Sequence, residues 1–529
     1  MASHFGWIDL AIIIAYLLVL AGIGVYFSRR QTGLEDYFRA GQSMGWVPVG
    51  LSLMAALNSG IDYMTQPSAS IQYGLVYLPS LLTWPLAYAY VVYLILPFYR
   101  RLNVYSVYEY LERRFDVRVR SLAAVIFILW RLGWMATALY VPCLAVSAAS
   151  DGWLPLVPTI LVLGTIVTVY TALGGIKGVI WTDVVQFCVM FSGLAVTVAV
   201  IVWNVPGGFP QIWQVADAGG KTALNVLPQA PANADPREQL WAFFTTPVTG
   251  IGIFIAILVS RLAAFTSDQM TVQRFQTARS VADQRPAFVI NAAGDVLWMA
   301  GLSFVGLALY AYYQHYGEVE GITHDQTLPY FMARVFPVGV TGLVIAAIFA
   351  ASLSSVDSAL NSSTTVVLVD FYNRLYLRRQ MDDRATAQPS QPLTRQEQQA
   401  QIAVSRIVTL VLGGIGTALA CNVGQIGDLV RLGTAVVASF TGPLLGIYLL
   451  GIFTRRAQST GVLIGGVAGS FVTISVAFFS PISGMWPSSF GLVITLLLGY
   501  ALSCLLPVPA TRSKGESLCF RAVMAPAQR

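Results

Sequence analysis

Four groups of residues in this 529-residue chain have types and spacings suited to binding chemistry. The first is AALNSGID, residues 55–62, inside the apolar stretch GWVPVGLSLMAALNSGIDYM. Asn58, Ser59 and Gly60 are three poor helix formers in a row, and Asp62 follows two residues later. A helix broken within a membrane frees carbonyls and amides that lipid cannot satisfy, so such breaks survive where they line a protein cavity. Freed carbonyls and half-helix ends are groups that hold ions and solutes. The alternative is a kinked structural helix, against which Asp62 argues, because a carboxylate at that depth is costly.

The second group is FAASLSSVDSALNSSTT, residues 349–365. Ala351, Ser354, Ser355 and Ser358 recur at helical intervals and share one face, with Asp357 at its edge. Hydroxyls beside a carboxylate make an oxygen-rich surface suited to a hard cation such as Na⁺. Small residues for close helix packing are the alternative. The third is Asp183 in TALGGIKGVIWTDVVQ, a few residues into an apolar run; it is either a ligand or a cap at the membrane interface. The fourth is Arg261, central in GIFIAILVSRLAAFTSDQ, which needs a carboxylate partner, with Asp62 as the internal candidate. Arg131, in FILWRLGWMA, lies nearer an end and has the option of snorkelling to the interface.

Other chemistries lack their parts. The three histidines, His4, His315 and His324, fall outside the apolar runs. The sequence has no HExxH, no Gly-rich phosphate loop and no Ser/His pair at membrane depth. The five cysteines are scattered without ligand spacing, which suggests neither a zinc site nor a disulfide framework.

The elements that must position these groups are apolar helices. The chain is 56% hydrophobic and 11% charged, and apolar runs near 20 residues recur throughout, each long enough to cross hydrocarbon. Thirteen spans are expected, near 7–28, 46–73, 75–99, 119–149, 153–172, 178–203, 241–268, 285–314, 336–370, 402–421, 424–453, 457–480 and 485–507. The first lacks a basic n-region and a cleavage site, so it reads as a retained helix. Basic residues gather on one side of this arrangement: Arg29 and Arg30, Arg100 and Arg101, Arg113 to Arg120, Arg274 and Arg279, Arg374 to Arg395, Arg455 and Arg456. The positive-inside rule then puts the N-terminus outside and the C-terminal tail, 508–529, in the cytoplasm. The net charge of +6 belongs to these short gaps and does not point to nucleic acid. Residues 378–401 read as a polar, partly flexible linker, and no soluble domain is present.

Several motifs carry a family resemblance. EDYFRAGQSMGW (35–46), TALGGIKGVIWTDVVQ (171–186), the Gln273–Arg274 pair, AAIFAASLSSVDSALNS (346–362) and TGPLLGIYLLGIFTRRA (441–457) resemble the solute:sodium symporter family. YFSRRQ (26–31), YLERRFDVR (110–118) and GVIWTDV (178–184) are similar to its bacterial sialic-acid branch. The resemblance implies an all-α polytopic membrane protein with the inverted-repeat (five-plus-five, LeuT-like) transporter fold. A leading helix (7–28) precedes repeat one (about 46–203) and repeat two (about 241–453). Two trailing helices (about 457–507) complete a single domain over 1–507. The first helix of each repeat is broken at midplane, with solute between the breaks.

The resemblance also implies roles. A first Na⁺ falls to Ala55, Asn58, Ala351, Ser354 and Ser355, through backbone carbonyls and two hydroxyls. A second falls to Asp183, Ser354, Asp357 and Ser358, where Asp357 stands in place of a hydroxyl and would tighten a Na⁺ site or make a proton site. Ser59, Asp62, Trp134 and Arg261 fall at solute positions. Trp134 replaces the carboxylate-binding Arg of sialic-acid symporters; Asp62 and Arg261 replace polar, sugar-binding positions with opposite charges. The implied activity is Na⁺-coupled import of a small organic solute, an organic acid or a zwitterion, with no enzymatic step. A sugar, polyol or sialic-acid symporter is the alternative, and an uncoupled channel or solute sensor on the same fold is a reading from another class. A monomer in the cell-membrane bilayer, with Na⁺ as coupling ion and the solute as partner, is the expected assembly.

Overall fold

The first helix, α1 (Trp7–Ser28), carries one buried acid, Asp9, in an otherwise apolar run. The computed structural model describes the chain except residues 1–4, 32, 103, 151, 229–234, 318–320, 378–394, 426–428, 508–516 and 525–529. The expected linker 378–401 falls largely outside the described residues; its last part is helical. Next come α2 (Trp46–Leu57) and α3 (Gly60–Tyr73), separated by two extended residues, Asn58 and Ser59. The helix restarts through a capping box: Ser59 Oγ accepts from the Ile61 amide at 3.2 Å and Asp62 Oδ2 from the Ser59 amide at 2.7 Å.

After α4 (Thr83–Tyr90) and α5 (Val117–Ala149), the 49-residue α6 (Leu156–Asn204) is twice too long for one crossing. It turns at Gly175, whose φ of +58° suits glycine. Carbonyls freed beside the turn are met by Gln31 Nε2, on Leu173 at 2.8 Å, and the Tyr37 hydroxyl, on Ala172 at 3.3 Å. The two expected spans 153–172 and 178–203 are its two arms.

The seventh span differs from expectation. A short helix, Pro236–Thr245, meets α7 (Gly250–Thr266) at a 54° bend. A second break at Ser267 and Asp268 follows, and the chain continues as α8 (Gln269–Thr277). The sequence reading ended this span at 268 and put Arg274 in a cytoplasmic gap. Arg274 is instead 1% exposed. The α8 sequence QMTVQRFQT is too polar for lipid, but protein surrounds it completely, and all nine residues are buried. Asp268 caps it, Oδ1 accepting from the Met270 amide at 2.9 Å.

The core helix is α10 (Val340–Val366), preceded by α9 (Val281–Tyr316) and followed by α11 (Arg395–Ala420), α12 (Leu429–Phe453), α13 (Ser459–Phe479) and α14 (Pro487–Leu505). In the span containing α10, 94% of the most apolar window is buried, against 28% for α1, α13 and α14, which face lipid. Both ends of this span are pinned. Asp9 Oδ1 accepts from the amides of Gly339 (2.8 Å) and Gly342 (2.6 Å) at its start. Near its other end, Arg120 joins Asp370 and Glu112, each at 2.6 Å.

Among the described residues nine helices are long and apolar enough to span a membrane, or ten with the bent pair as one. Thirteen were expected. The first broken helix falls into pieces of 12 and 14 residues, α6 holds two arms, and the apolar part of α12, Phe440–Phe453, is too short to count. The two broken helices are tied together: the Met44 amide donates to Thr277 O and the Arg279 amide to Met44 O, both at 3.1 Å.

Candidate ion and solute site

Helix α10 meets the first break through its serines. Ser354 Oγ donates to the carbonyl of Ala55 at 2.8 Å and lies 3.0 Å from that of Ala351. Ser355 Oγ lies 3.2 Å from the carbonyl of Ala56, 3.3 Å from Asn58 O and 3.4 Å from Ala351 O. All five residues expected at the first Na⁺ position are thus gathered in one oxygen cluster, and each is buried. Glycine at 60 permits the approach: a Cβ there would stand 2.8 Å from the Ile348 carbonyl. Hard oxygen donors with no thiol or imidazole among them suit an alkali cation.

One turn further along α10 lies a second cluster. Arg274 donates from Nη2 to Asp183 Oδ2 at 2.9 Å and to Ser358 Oγ, and from Nε to Ser52 Oγ at 2.8 Å. Ser52 Oγ also donates to Asp183 Oδ2 at 2.5 Å. Asp357 accepts from Tyr170 at 2.9 Å, Ser358 at 3.2 Å and Thr182 at 3.4 Å. Asp183 and Asp357 are both fully buried, while Asp183 Oδ1 and the Gln186 side-chain amide have no hydrogen-bond partner among the described residues. Two carboxylates and one guanidinium leave one negative charge uncompensated, which a cation or a proton balances. Three of the four expected second-site residues, Asp183, Asp357 and Ser358, meet here; Ser354 belongs to the first cluster by its bonds. Asp183 is no interface cap.

The solute side departs most from the sequence reading. Arg261 pairs with Asp295 on α9, not with Asp62. Its Nη1 also donates to Thr83 Oγ1 and to Ser80 O at 3.0 Å. Trp84 stacks on the guanidinium at 4.1 Å and donates from Nε1 to Asp295 Oδ2 at 2.8 Å. Asp62 is turned onto the Ser59 amide by the capping box and is partly exposed; Ser59 is fully buried. Trp134 is half-buried against the main core cluster. Arg131 does not snorkel: it is 4% exposed, pairs with the buried Asp268 at the second break and stacks on Trp130 at 4.2 Å. Asp295 and Asp268 escaped the sequence reading, although each is an acid inside an apolar helical stretch, the signal that had marked Asp62 and Asp183.

The comparisons with known proteins bear on the fold and the family. The model of the Sodium:solute symporter family matches residues 37–469. The sodium/sialic acid symporter NanT of Aliivibrio fischeri is 32% identical, with 94% of this chain and 93% of the relative covered. The sodium/sialic acid symporter SiaT of Proteus mirabilis is 29% identical, with 94% of each covered. Among solved structures, a Na⁺-coupled sialic acid symporter in a substrate-bound outward-open state superposes with a TM-score of 0.81 at 28% identity, covering 95% of this chain and 98% of that one. The broken helices, the serine cluster at the first break and these relatives together mean that this multi-pass membrane protein belongs to the sodium:solute symporter family, whose solute movement is coupled to Na⁺.

Proposed function

We propose that the protein imports a small organic solute, an organic acid or a zwitterion, into the cell. One Na⁺ would sit among Ala55, Asn58, Ala351, Ser354 and Ser355. A second cation, Na⁺ or H⁺, would sit at Asp183, Asp357 and Ser358, beside Ser354. Ser59, Asp62, Trp134 and Arg261 would line the solute position, Arg261 through its pair with Asp295. The observation that carries the reading is the convergence of the Ser354 and Ser355 hydroxyls on carbonyls freed at the first break. Na⁺ there would hold the broken helix against α10 and favour one conformation, which solute then closes. The energetics suffice. One charge moving through 100 mV supplies about 2.3 kcal/mol and a tenfold Na⁺ gradient about 1.4 kcal/mol, enough for roughly several-hundred-fold accumulation.

The basic residues that remain outside the packed interior support an N-terminus outside and a cytoplasmic C-terminus. The relatives named for sialic acid favour an acidic solute; Trp134 in place of their carboxylate-binding Arg argues against sialic acid itself. Thermal unfolding of the purified protein with Na⁺ against K⁺, over a solute panel, tests the reading. Stabilisation by Na⁺, increased by one solute, is expected. Equal stability in the two salts would overturn it.

A further inference from the structure

The solute position carries more negative than positive charge. Arg261, the cation there, already has its partners: both terminal nitrogens donate to Asp295, Ser80 and Thr83, and its flat face lies on Trp84. Little of the guanidinium is left to receive a solute carboxylate. Asp295 meets Arg261 and Trp84 through Oδ2; among the described residues no hydrogen bond reaches its Oδ1, and its side chain is 12% exposed. A mostly buried carboxylate that keeps one accessible oxygen is an acceptor a solute donor can reach.

Asp62 stands on the facing helix. Tyr63, its neighbour, packs edge-on against Trp298 with centroids 5.6 Å apart, and Trp298 is one turn beyond Asp295. The two carboxylates lie within electrostatic reach of each other across the α3–α9 interface. Asp62 uses Oδ2 to cap Ser59, and no Lys or Arg reaches it among the described residues. Two carboxylates against one guanidinium leave one negative charge, next to two unused carboxylate oxygens.

We infer that Asp62 and Asp295 recognise a cationic group on the solute, an ammonium or a guanidinium, so that the transported molecule is a zwitterion or a cation rather than a simple acid. This rests on the Na⁺-symport reading and narrows it. Asp62 Oδ1 and Asp295 Oδ1 supply two charge-assisted acceptors, and Trp84 supplies an apolar wall.

The test uses full-length protein in proteoliposomes with an equimolar mixture of small metabolites of known charge, accumulation being read by mass spectrometry with Na⁺ or K⁺ outside. Accumulated solutes should carry a cationic nitrogen. Asp62→Asn keeps an oxygen to cap Ser59, so it should fold and keep its Na⁺-induced thermal shift, yet lower accumulation about tenfold or more, the scale of one charge-assisted bond. Asp295→Asn should lower it likewise. Accumulation of neutral or anionic solutes alone overturns the inference and leaves Na⁺ symport standing, as does unchanged accumulation by Asp62→Asn. Loss of the Na⁺ shift in Asp62→Asn without any solute also overturns it, since the bound cation would then be Na⁺. If neither accumulation nor thermal stability of the unmodified protein depends on Na⁺, the symport reading itself fails.

Discussion

Ser354 and Ala55, 299 residues apart in sequence, are joined at 2.8 Å by a hydroxyl-to-carbonyl hydrogen bond. It ties the central helix to the last turn before the first break. Both oxygens are buried, so any cation between them replaces this bond with coordination. Ser354→Ala removes one ligand and leaves the Ala55 carbonyl in place. The Na⁺ concentration for half-maximal uptake should rise about tenfold, while stability in Na⁺-free buffer should fall by only about 1 kcal/mol. Ser355→Ala should behave similarly. A Na⁺ titration of uptake checks both; an unchanged midpoint in both variants would exclude these hydroxyls as ligands.

The Arg274–Asp183 pair predicts a different pattern. Arg274 uses three nitrogens: Nε on Ser52, Nη1 on Met270 O and Nη2 on Asp183 and Ser358. Arg274→Met strands two buried carboxylates and should cost about 3–5 kcal/mol. Arg274→Lys keeps the charge but offers one nitrogen, so it should recover only part of the loss. Asp183→Asn combined with Arg274→Met should be more stable than Arg274→Met alone, because one stranded charge is gone. Thermal unfolding in detergent checks the order. A double variant no better than the single would show that Asp183 does not depend on Arg274.

How far the sequence revealed these parts depends on what each part faces. Lipid-facing helices such as α1 and α14 were legible because hydrocarbon demands uninterrupted apolar runs. The Ser354, Ser355 and Ser358 face was legible from helical spacing, and the first break from Asn58-Ser59-Gly60. Helix α8 was not legible: buried in protein rather than lipid, it carries Gln269, Gln273, Arg274 and Gln276, and a hydropathy reading ends the span before it. The partner of Arg261 was not legible either. Asp62 and Asp295 are equally plausible by charge, and the choice follows from how α7, α9 and the Ser80–Thr83 turn pack, which no local pattern encodes. Asp62 was found for its charge, while its capping of Ser59 emerged only with the backbone geometry.

Asp9 supplies a prediction away from the ion clusters. Its Oδ1 accepts from the amides of Gly339 and Gly342, and its Oδ2 from that of Gly6. It therefore caps α10 from another helix, doing for it what a local N-cap side chain does elsewhere. Gly342 lets the backbones meet, since a Cβ there would stand 2.4 Å from Asp9 Cα. Asp9→Ala should cost about 1–2 kcal/mol, the range for a lost cap, and lower the melting temperature. Na⁺ affinity should change little, because the serines lie more than three turns further along the helix. A shift in Na⁺ midpoint as large as that of Ser354→Ala would show that the cap sets the register of the ion site.

Gly60 tests whether the approach of the broken helix to α10 sets ion binding. A Cβ at residue 60 would stand 2.2 Å from Ser352 Oγ and 2.8 Å from the Ile348 carbonyl. The hydroxyl can rotate away, whereas the carbonyl belongs to the helix and cannot. Gly60→Ala should therefore push α3 from α10 and widen the space between Asn58 O and Ser355 Oγ, now 3.3 Å. Alanine also favours helix over glycine by about 1 kcal/mol, so any loss of Na⁺ affinity cannot be blamed on a weaker α3. The Na⁺ midpoint for uptake should rise while the protein stays folded. Adding Ser352→Ala removes the side-chain clash only, so it should restore part of the affinity. Full restoration would assign the effect to the hydroxyl, and no change in Gly60→Ala would show that the two helices tolerate separation at the ion site.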